Sequence, residues 1–166
     1  PPRRSASATD RHVHRVRPLH GLTRNDNNFD RWLAGRGIKN GLTSRRPFQT
    51  LMAELGDTEV VVEAAKGKIG NGLGYIVMTE TRVILVGQAV RALASESTVE
   101  SFDLDSISAV VLDEGMFQST LTLTTSSGDN TVDNMTSGAA RMAAALRNGT
   151  VAETTDIPVD ADPEAE

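Results

Sequence analysis

The chain has 166 residues, of which 39% are hydrophobic, 23% are charged and only 4% are aromatic, a composition that supports one small folded domain with additional segments. It contains no cysteine, which excludes disulfides, cysteine-ligated zinc and thiol catalysis. The net charge of -5 is unevenly distributed: residues 1–48 contain 11 Lys and Arg against 3 acidic residues, and the other 118 residues contain 6 against 19. A basic N-terminal part therefore precedes an acidic remainder.

Residues 1–26 form a segment that we call the basic arm. Its apolar residues are too scattered to make a buried face, so we expect a flexible arm without a core of its own. Arg outnumbers Lys ten to one over residues 1–48, and Arg suits defined two-point contacts with carboxylates or phosphates. We expect the arginines of the arm to bind a partner, the alternative being a solvated leader without one; these residues are Arg3, Arg4, Arg11, Arg15, Arg17 and Arg24.

Residues 27–56 are predicted to form a helical extension. A short helix is expected at 29–33, capped by Asp26 or Asn27, and a longer one at 47–55, where Phe48, Leu51, Met52 and Leu55 make an apolar stripe. Phe29 and Trp32 on the short helix need a surface to cover them. We include both as candidate partner-binding residues, although docking on the same chain is the alternative that we favour.

Residues 57–149 change to a two-residue period, typical of strands, and end in a helix. The stretch 66–72 is predicted to be a turn and 89–98 a loop. In the strand at 117–125, Phe117, Leu121 and Leu123 alternate with polar residues and are expected to face inward. The final helix carries an apolar stripe of Ala139, Met142, Ala143 and Leu146. Seven strands are predicted, at 58–65, 73–79, 82–88, 99–104, 106–112, 117–125 and 130–134.

Residues 150–166 contain six acidic residues, two prolines and no basic residue, so we expect an acidic disordered tail.

The order of these elements resembles the bacterial pleckstrin-homology-like (PH-like) domains over about residues 56–148. The segments that carry the resemblance are GDTEVVVEAAKGK, the hairpin GYIVMTETRVILVG, VESFDLDSISAVVLDEG, STLTLTTSSGDNTVDNM and ARMAAALRN. The resemblance implies an all-β fold, a seven-stranded antiparallel barrel plugged by a C-terminal helix, that binds proteins or ligands and is not an enzyme. Some relatives outside bacteria bind phosphoinositides near the first hairpin, where this chain has Lys66 and Lys68, our secondary candidates for binding a phosphate.

No catalytic or metal-binding pattern is found in residues 27–166. All three histidines (His12, His14 and His20) lie in the basic arm, so the predicted domain lacks both His and Cys for acid–base or nucleophilic chemistry. His12 and His14 lack a third ligand, and the acidic pairs Asp103/Asp105 and Asp113/Glu114 lack the spacing of a calcium loop. We therefore expect no enzyme activity, no metal and no cofactor.

We expect a non-enzymatic protein–protein interaction and assembly module, in which the basic arm and residues 29–55 contact neighbouring subunits. The partners would be protein subunits, in a homo-oligomer or a larger structural assembly such as a bacterial or phage particle. The alternative is a nucleic-acid accessory protein that binds phosphates through the arm. The apolar runs are of strand length, so no membrane span is predicted, and neither is a secretory signal. We accordingly expect a cytoplasmic location, or a phage particle made there.

Overall fold

The structure is a computed structural model that describes residues 21–91 and 94–150, with only the backbone described at 89–91 and 94–95. Three α-helices occur in this part of the chain: α1 (Phe29–Ala34), α2 (Arg45–Glu54) and α3 (Ala139–Thr150). The strands are β1 (Leu22–Thr23), β2 (Val60–Ile69), β3 (Gly72–Thr79), β4 (Arg82–Arg91), β5 (Ala94–Asp103), β6 (Ile107–Glu114), β7 (Ser119–Thr125) and β8 (Gly128–Met135). A 3₁₀ helix, Leu104–Ser106, connects β5 to β6.

Seven antiparallel strands follow one another in the order β5-β4-β3-β2-β8-β7-β6, which confirms the predicted all-β fold with a C-terminal helix. The two halves of the sheet meet where Lys68 of β2 pairs with Asp133 of β8. Across the described residues β5 and β6 do not pair with each other, so the predicted barrel is open between these two strands. An eighth, two-residue strand, β1, pairs with β2 inside the segment predicted to be the arm.

Helix α3 covers one face of the sheet with the predicted stripe. Ala139, Met142, Ala143 and Leu146 are all buried, and they pack with apolar side chains of both sheet halves, such as Ile76 and Leu121. This three-and-four spacing places one helix face against the strands. Removal of that apolar surface from water is the main stabilisation of this part of the fold.

The helical extension covers the opposite face of β2, β3 and β4. Phe29 and Leu33 of α1, Leu51 of α2 and Ile38 between the helices pack in a second core against the strands, with Tyr75 among the buried strand residues. Because these strands are covered on both faces, residues Tyr75–Met78 form a continuous buried run instead of an alternating one. Residues 29–55 are therefore part of the folded unit.

Two predicted loops are strands. The stretch 66–72 was expected to be a turn, but β2 continues to Ile69 and the turn comprises Gly70 and Asn71. Gly67 lies in the strand because a Cβ atom there would collide with Val132 of β8. Likewise the described part of the predicted loop 89–98, residues 89–91 and 94–98, belongs to the ends of β4 and β5, which remain paired as far as Arg91 and Ala94.

The remaining incorrect predictions concern the residues at which strands and helices begin. Strand β7 begins at Ser119, so Phe117 lies in the preceding turn with 86% of its surface exposed and does not face inward. Helix α1 begins after Asn28, not Asp26 or Asn27, and Asn28 makes no side-chain capping hydrogen bond. Helix α2 begins at Arg45, two residues before the expected Pro47.

Candidate functional site

Most arginines of the basic arm, Arg3, Arg4, Arg11, Arg15 and Arg17, lie outside the described residues. Arg24 is described, and its guanidinium is used within the chain. Its Nη1 donates to the carbonyl oxygens of Met52 at 2.9 Å and Leu55 at 3.1 Å, and its Nη2 lies 2.6 Å from Asp57 Oδ1. Arg24 therefore links β1 to the end of α2. This structural role differs from the predicted contact with a partner.

Phe29 and Trp32 dock on their own chain. Phe29 is 1% exposed, so its predicted contact with a partner is wrong for the folded chain. Its ring centroid lies 6.3 Å from that of Trp32 in a stacked arrangement. The guanidinium of Arg36 lies 3.7 Å from the centroid of the Trp32 ring on the partly buried indole. The indole is thus largely occupied by intrachain contacts.

Glu63 links the helical extension to α3. Its buried side chain lies at a bulge of β2, accepts a hydrogen bond from Arg36 Nε at 2.8 Å and lies 3.7 Å from Arg141 Nε. The backbone N–H of Ala64 also donates to Glu63 at 3.0 Å. These contacts hold the loop after α1 and the first turn of α3 beside the distal half of β2, where Lys66 and Lys68 lie.

Lys66 and Lys68 project from the exposed side of β2 beside a cleft of about 420 Å³, which we call the lysine cleft. The cleft lies between the β2–β3 hairpin and the end of β8. Asn134, in the left-handed region with φ 54°, forms part of its wall. The cleft residues offer amino groups, amides, a hydroxyl and one apolar surface, and none of them is acidic: Lys66, Lys68, Asn71, Leu73, Asn134 and Thr136, with two glycines. This chemistry suits a group with negative charge or an apolar group with acidic neighbours.

An exposed apolar turn lies between β6 and β7, and we call residues 115–118 the apolar turn. Met116 is 89% exposed and Phe117 is 86% exposed. The turn is closed by a 3.0 Å hydrogen bond from Gly115 N–H to the Gln118 carbonyl, and it directly follows the exposed acids Asp113 and Glu114. Two adjacent large apolar side chains in water are unfavourable unless something covers them.

The apolar turn and the lysine cleft are neighbours in the fold. Ser119, the first residue after the turn, pairs with Met135 of β8, and Met135 lies between the cleft residues Asn134 and Thr136 in the chain. The turn therefore lies one strand away from the wall of the cleft.

Sequence reasoning identified the two lysines of this site and missed its apolar part. Alternation along 117–125 assigned Phe117 to the core, because the pattern continues through the turn without a break. Gly115 was the available signal, since its N–H closes the turn that ends the alternation. Asn134 could not be found, because its left-handed backbone accompanies a register shift between β7 and β8.

Within residues 21–91 and 94–150 no group of three or more His, Cys, Asp or Glu side chains could hold a metal ion. None of the helices in the same part of the chain is both long and apolar enough to span a membrane.

Comparison with known families identifies the fold. The family model described as bacterial PH domain matches residues 55–148, which is more than half of the chain. The chain therefore belongs to the bacterial PH domain family. Among solved structures, the C-terminal domain of an unknown protein from Leishmania infantum is similar, with a TM-score of 0.46 and 16% identity over 64% of this chain and 93% of that chain. No curated protein matches the chain.

Proposed function

We propose that this PH-like protein is a non-enzymatic assembly module that associates with further copies of itself. The observation that carries the proposal is the apolar turn, where Met116 and Phe117 are exposed. Asp113 and Glu114 precede this turn and are acidic, whereas the neighbouring lysine cleft is basic. PH-like domains serve as binding modules, and within the described residues β5 and β6 each have an unpaired edge at which further contacts can form.

The energetics favour association over a solvated turn. Burying one large apolar side chain contributes about 1.5–3 kcal/mol, so covering Met116 and Phe117 on each of two copies is comparable to the association free energy of a micromolar complex, about 8 kcal/mol. Entropic costs of association reduce this sum, and the acids and lysines around the turn and the cleft would supply orientation.

The basic arm has a secondary role in this proposal. The chain combines +8 in residues 1–48 with -13 in the remainder, so copies attract one another through opposite charges once they are oriented. The helical extension contributes less than its sequence suggested, because Phe29 is buried and Trp32 contacts Phe29 and Arg36 of the same chain.

The alternative function, nucleic-acid binding through the arm, is favoured by the same +8 charge. It predicts affinity for any duplex that decreases steeply with salt, by a slope of about 0.9 in log affinity per phosphate contact. Replacing Arg11, Arg15 and Arg17 by Ser would then lower the slope. The acidic remainder opposes close approach to DNA, and we expect no such binding at physiological salt.

Sedimentation equilibrium of the full chain between micromolar and millimolar concentrations tests the proposed function. We expect reversible association above the 17.7 kDa monomer, with duplex DNA leaving the distribution unchanged. A monomer over the whole range would contradict self-assembly. Tight, salt-dependent binding to unrelated duplexes would instead support the nucleic-acid alternative.

A further inference from the structure

We infer that the apolar turn of one copy inserts into the lysine cleft of a second copy, and that the second copy returns the same contact. This inference rests on the proposed function and specifies its interface. Residues 115–118 are the inserted part, and Lys66 and Lys68 flank the receiving cleft.

The charges around the two parts are complementary. Asp113 and Glu114 precede the turn and are exposed, and in the described part of the chain neither has an ion-pair partner within 4.0 Å. Lys66 and Lys68 are exposed in the same way, and no described carboxylate lies within that distance of either. Insertion of the turn brings the acidic end of β6 to the two ammonium groups while the phenyl ring leaves water.

The cleft has room for a phenyl ring. Its volume of about 420 Å³ is larger than a phenylalanine side chain, and Leu73 provides an apolar surface within it. The polar side chains of Asn71, Asn134 and Thr136 line the cleft. They can donate hydrogen bonds to the backbone of an inserted turn and can also accept hydrogen bonds from it. Such an arrangement, an apolar anchor in a pocket with a charged rim, is typical of the residues that dominate binding at interfaces.

The position of the two parts favours a two-fold dimer. Since the apolar turn and the cleft are separated by one strand in each copy, they form a single patch that contains both the inserted and the receiving part. In a two-fold contact residue i of one copy touches residue j of the other and the reverse also holds, so a patch of this kind is satisfied twice in a closed dimer. A head-to-tail chain would leave one turn and one cleft open at each end.

The inference is tested by sedimentation equilibrium of variants of the full chain. Phe117→Ser should weaken dimerisation at least about 100-fold, because each dimer loses two buried phenyl groups. Leu42→Ser is the matched control, since Leu42 is 100% exposed elsewhere on the surface, and it should dimerise like the parent. Circular dichroism and thermal unfolding should show that both variants remain folded.

The charge arrangement is tested by reversal. Lys66→Glu with Lys68→Glu should weaken the dimer, whereas Lys39→Glu with Arg45→Glu, two exposed cations on the helical extension, should not. Combining Lys66→Glu and Lys68→Glu with Asp113→Lys and Glu114→Lys in one chain should restore most of the lost association, a rescue that a merely structural role of the lysines would not produce.

The outcomes separate this inference from the proposed function. If the parent assembles and Phe117→Ser or the double lysine variant assembles equally well, the inference is overturned. Self-assembly would then occur through another surface. Failure of the charge reversal to rescue also overturns it. A parent that remains a monomer overturns both.

Discussion

Arg82 and Glu59 form a two-point ion pair in which Nε donates to Oε1 at 2.7 Å and Nη2 donates to Oε2 at 2.9 Å. The same guanidinium donates to the side chain and the backbone carbonyl of Glu54, both at 3.0 Å. One side chain at the start of β4 thereby joins the end of α2 to the residue that precedes β2.

Replacing Arg82 by Lys should lower the free energy of unfolding by about 2 kcal/mol, because an ammonium group cannot keep the paired geometry to Glu59 and also reach Glu54. Urea unfolding of the parent and the variant measures the difference. Arg31→Lys, at an exposed position of α1, is the matched control and should change stability by less than about 0.5 kcal/mol. Equal effects of the two substitutions would contradict a special role for the Arg82 geometry.

The Glu59 carboxylate should make the free energy of unfolding depend on pH in the acidic range. Its hydrogen bonds from Arg82 lower the pKa of Glu59 from 4.5 to about 2. A carboxyl group whose folded pKa is depressed contributes stability that is fully present above its unfolded pKa and is lost as the pH falls towards its folded pKa. We therefore expect the free energy of unfolding to decrease between about pH 4.5 and 2, and Glu59→Gln to remove part of that slope. An unchanged slope in the variant would exclude Glu59 as a source.

Leu146 tests the packing of α3. It is fully buried in the core beneath the helix, so Leu146→Ala should destabilise the fold by about 2–5 kcal/mol through lost burial and a residual cavity. The next residue, Arg147, is exposed, and Arg147→Ala should cost less than about 0.5 kcal/mol. Chemical unfolding of both variants provides the comparison, and similar small losses would mean that α3 is not packed on the sheet.

Tyr75 has a buried hydroxyl without a hydrogen-bond partner among the described residues. Burial raises the pKa of Tyr75, and the nearby Ser44 hydroxyl acts in the opposite direction. The Ser44 hydroxyl donates to the Lys39 carbonyl and accepts from the Gly41 N–H. Removing an unsatisfied buried hydroxyl avoids a desolvation penalty of about 1–3 kcal/mol.

We accordingly expect Tyr75→Phe to be at least as stable as the parent in thermal unfolding, with a gain of about 1 kcal/mol. Tyr75→Leu, which removes the ring as well, should be destabilising and serves as the contrast. A clear loss of stability in Tyr75→Phe would show that the hydroxyl makes a stabilising hydrogen bond.

Periodicity predicted the fold wherever one face of an element is buried. The apolar stripe that ends at Leu146 predicted one buried face of the last helix, and the alternation of Leu121 and Leu123 predicted one buried face of a strand. The structure confirms both predictions. The sequence was misleading where two backbones approach closely. Gly67 resembles a turn residue, yet it is required in β2 because β8 leaves no room for a side chain.

The candidate site was only half visible in the sequence for a different reason. Lys66 and Lys68 stand out by their charge, but the exposure of Phe117 depends on where β7 begins, a boundary that only Gly115 signals before an unbroken alternation. The apolar turn and the lysine cleft lie close together because Ser119 pairs with Met135. These two residues are distant in sequence, so the hydrophobic pattern of the sequence does not predict their pairing.

The interface between two copies can be tested most directly by disulfide trapping, because the chain has no native cysteine. Met116→Cys is prepared in one sample of the chain and Asn71→Cys in another, and the two are mixed and oxidised. If the apolar turn enters the lysine cleft of a second copy, the mixture should give a covalent dimer faster and in higher yield than either variant alone. A mixture that yields only the self-linked products of the separate variants would contradict the proposed interface.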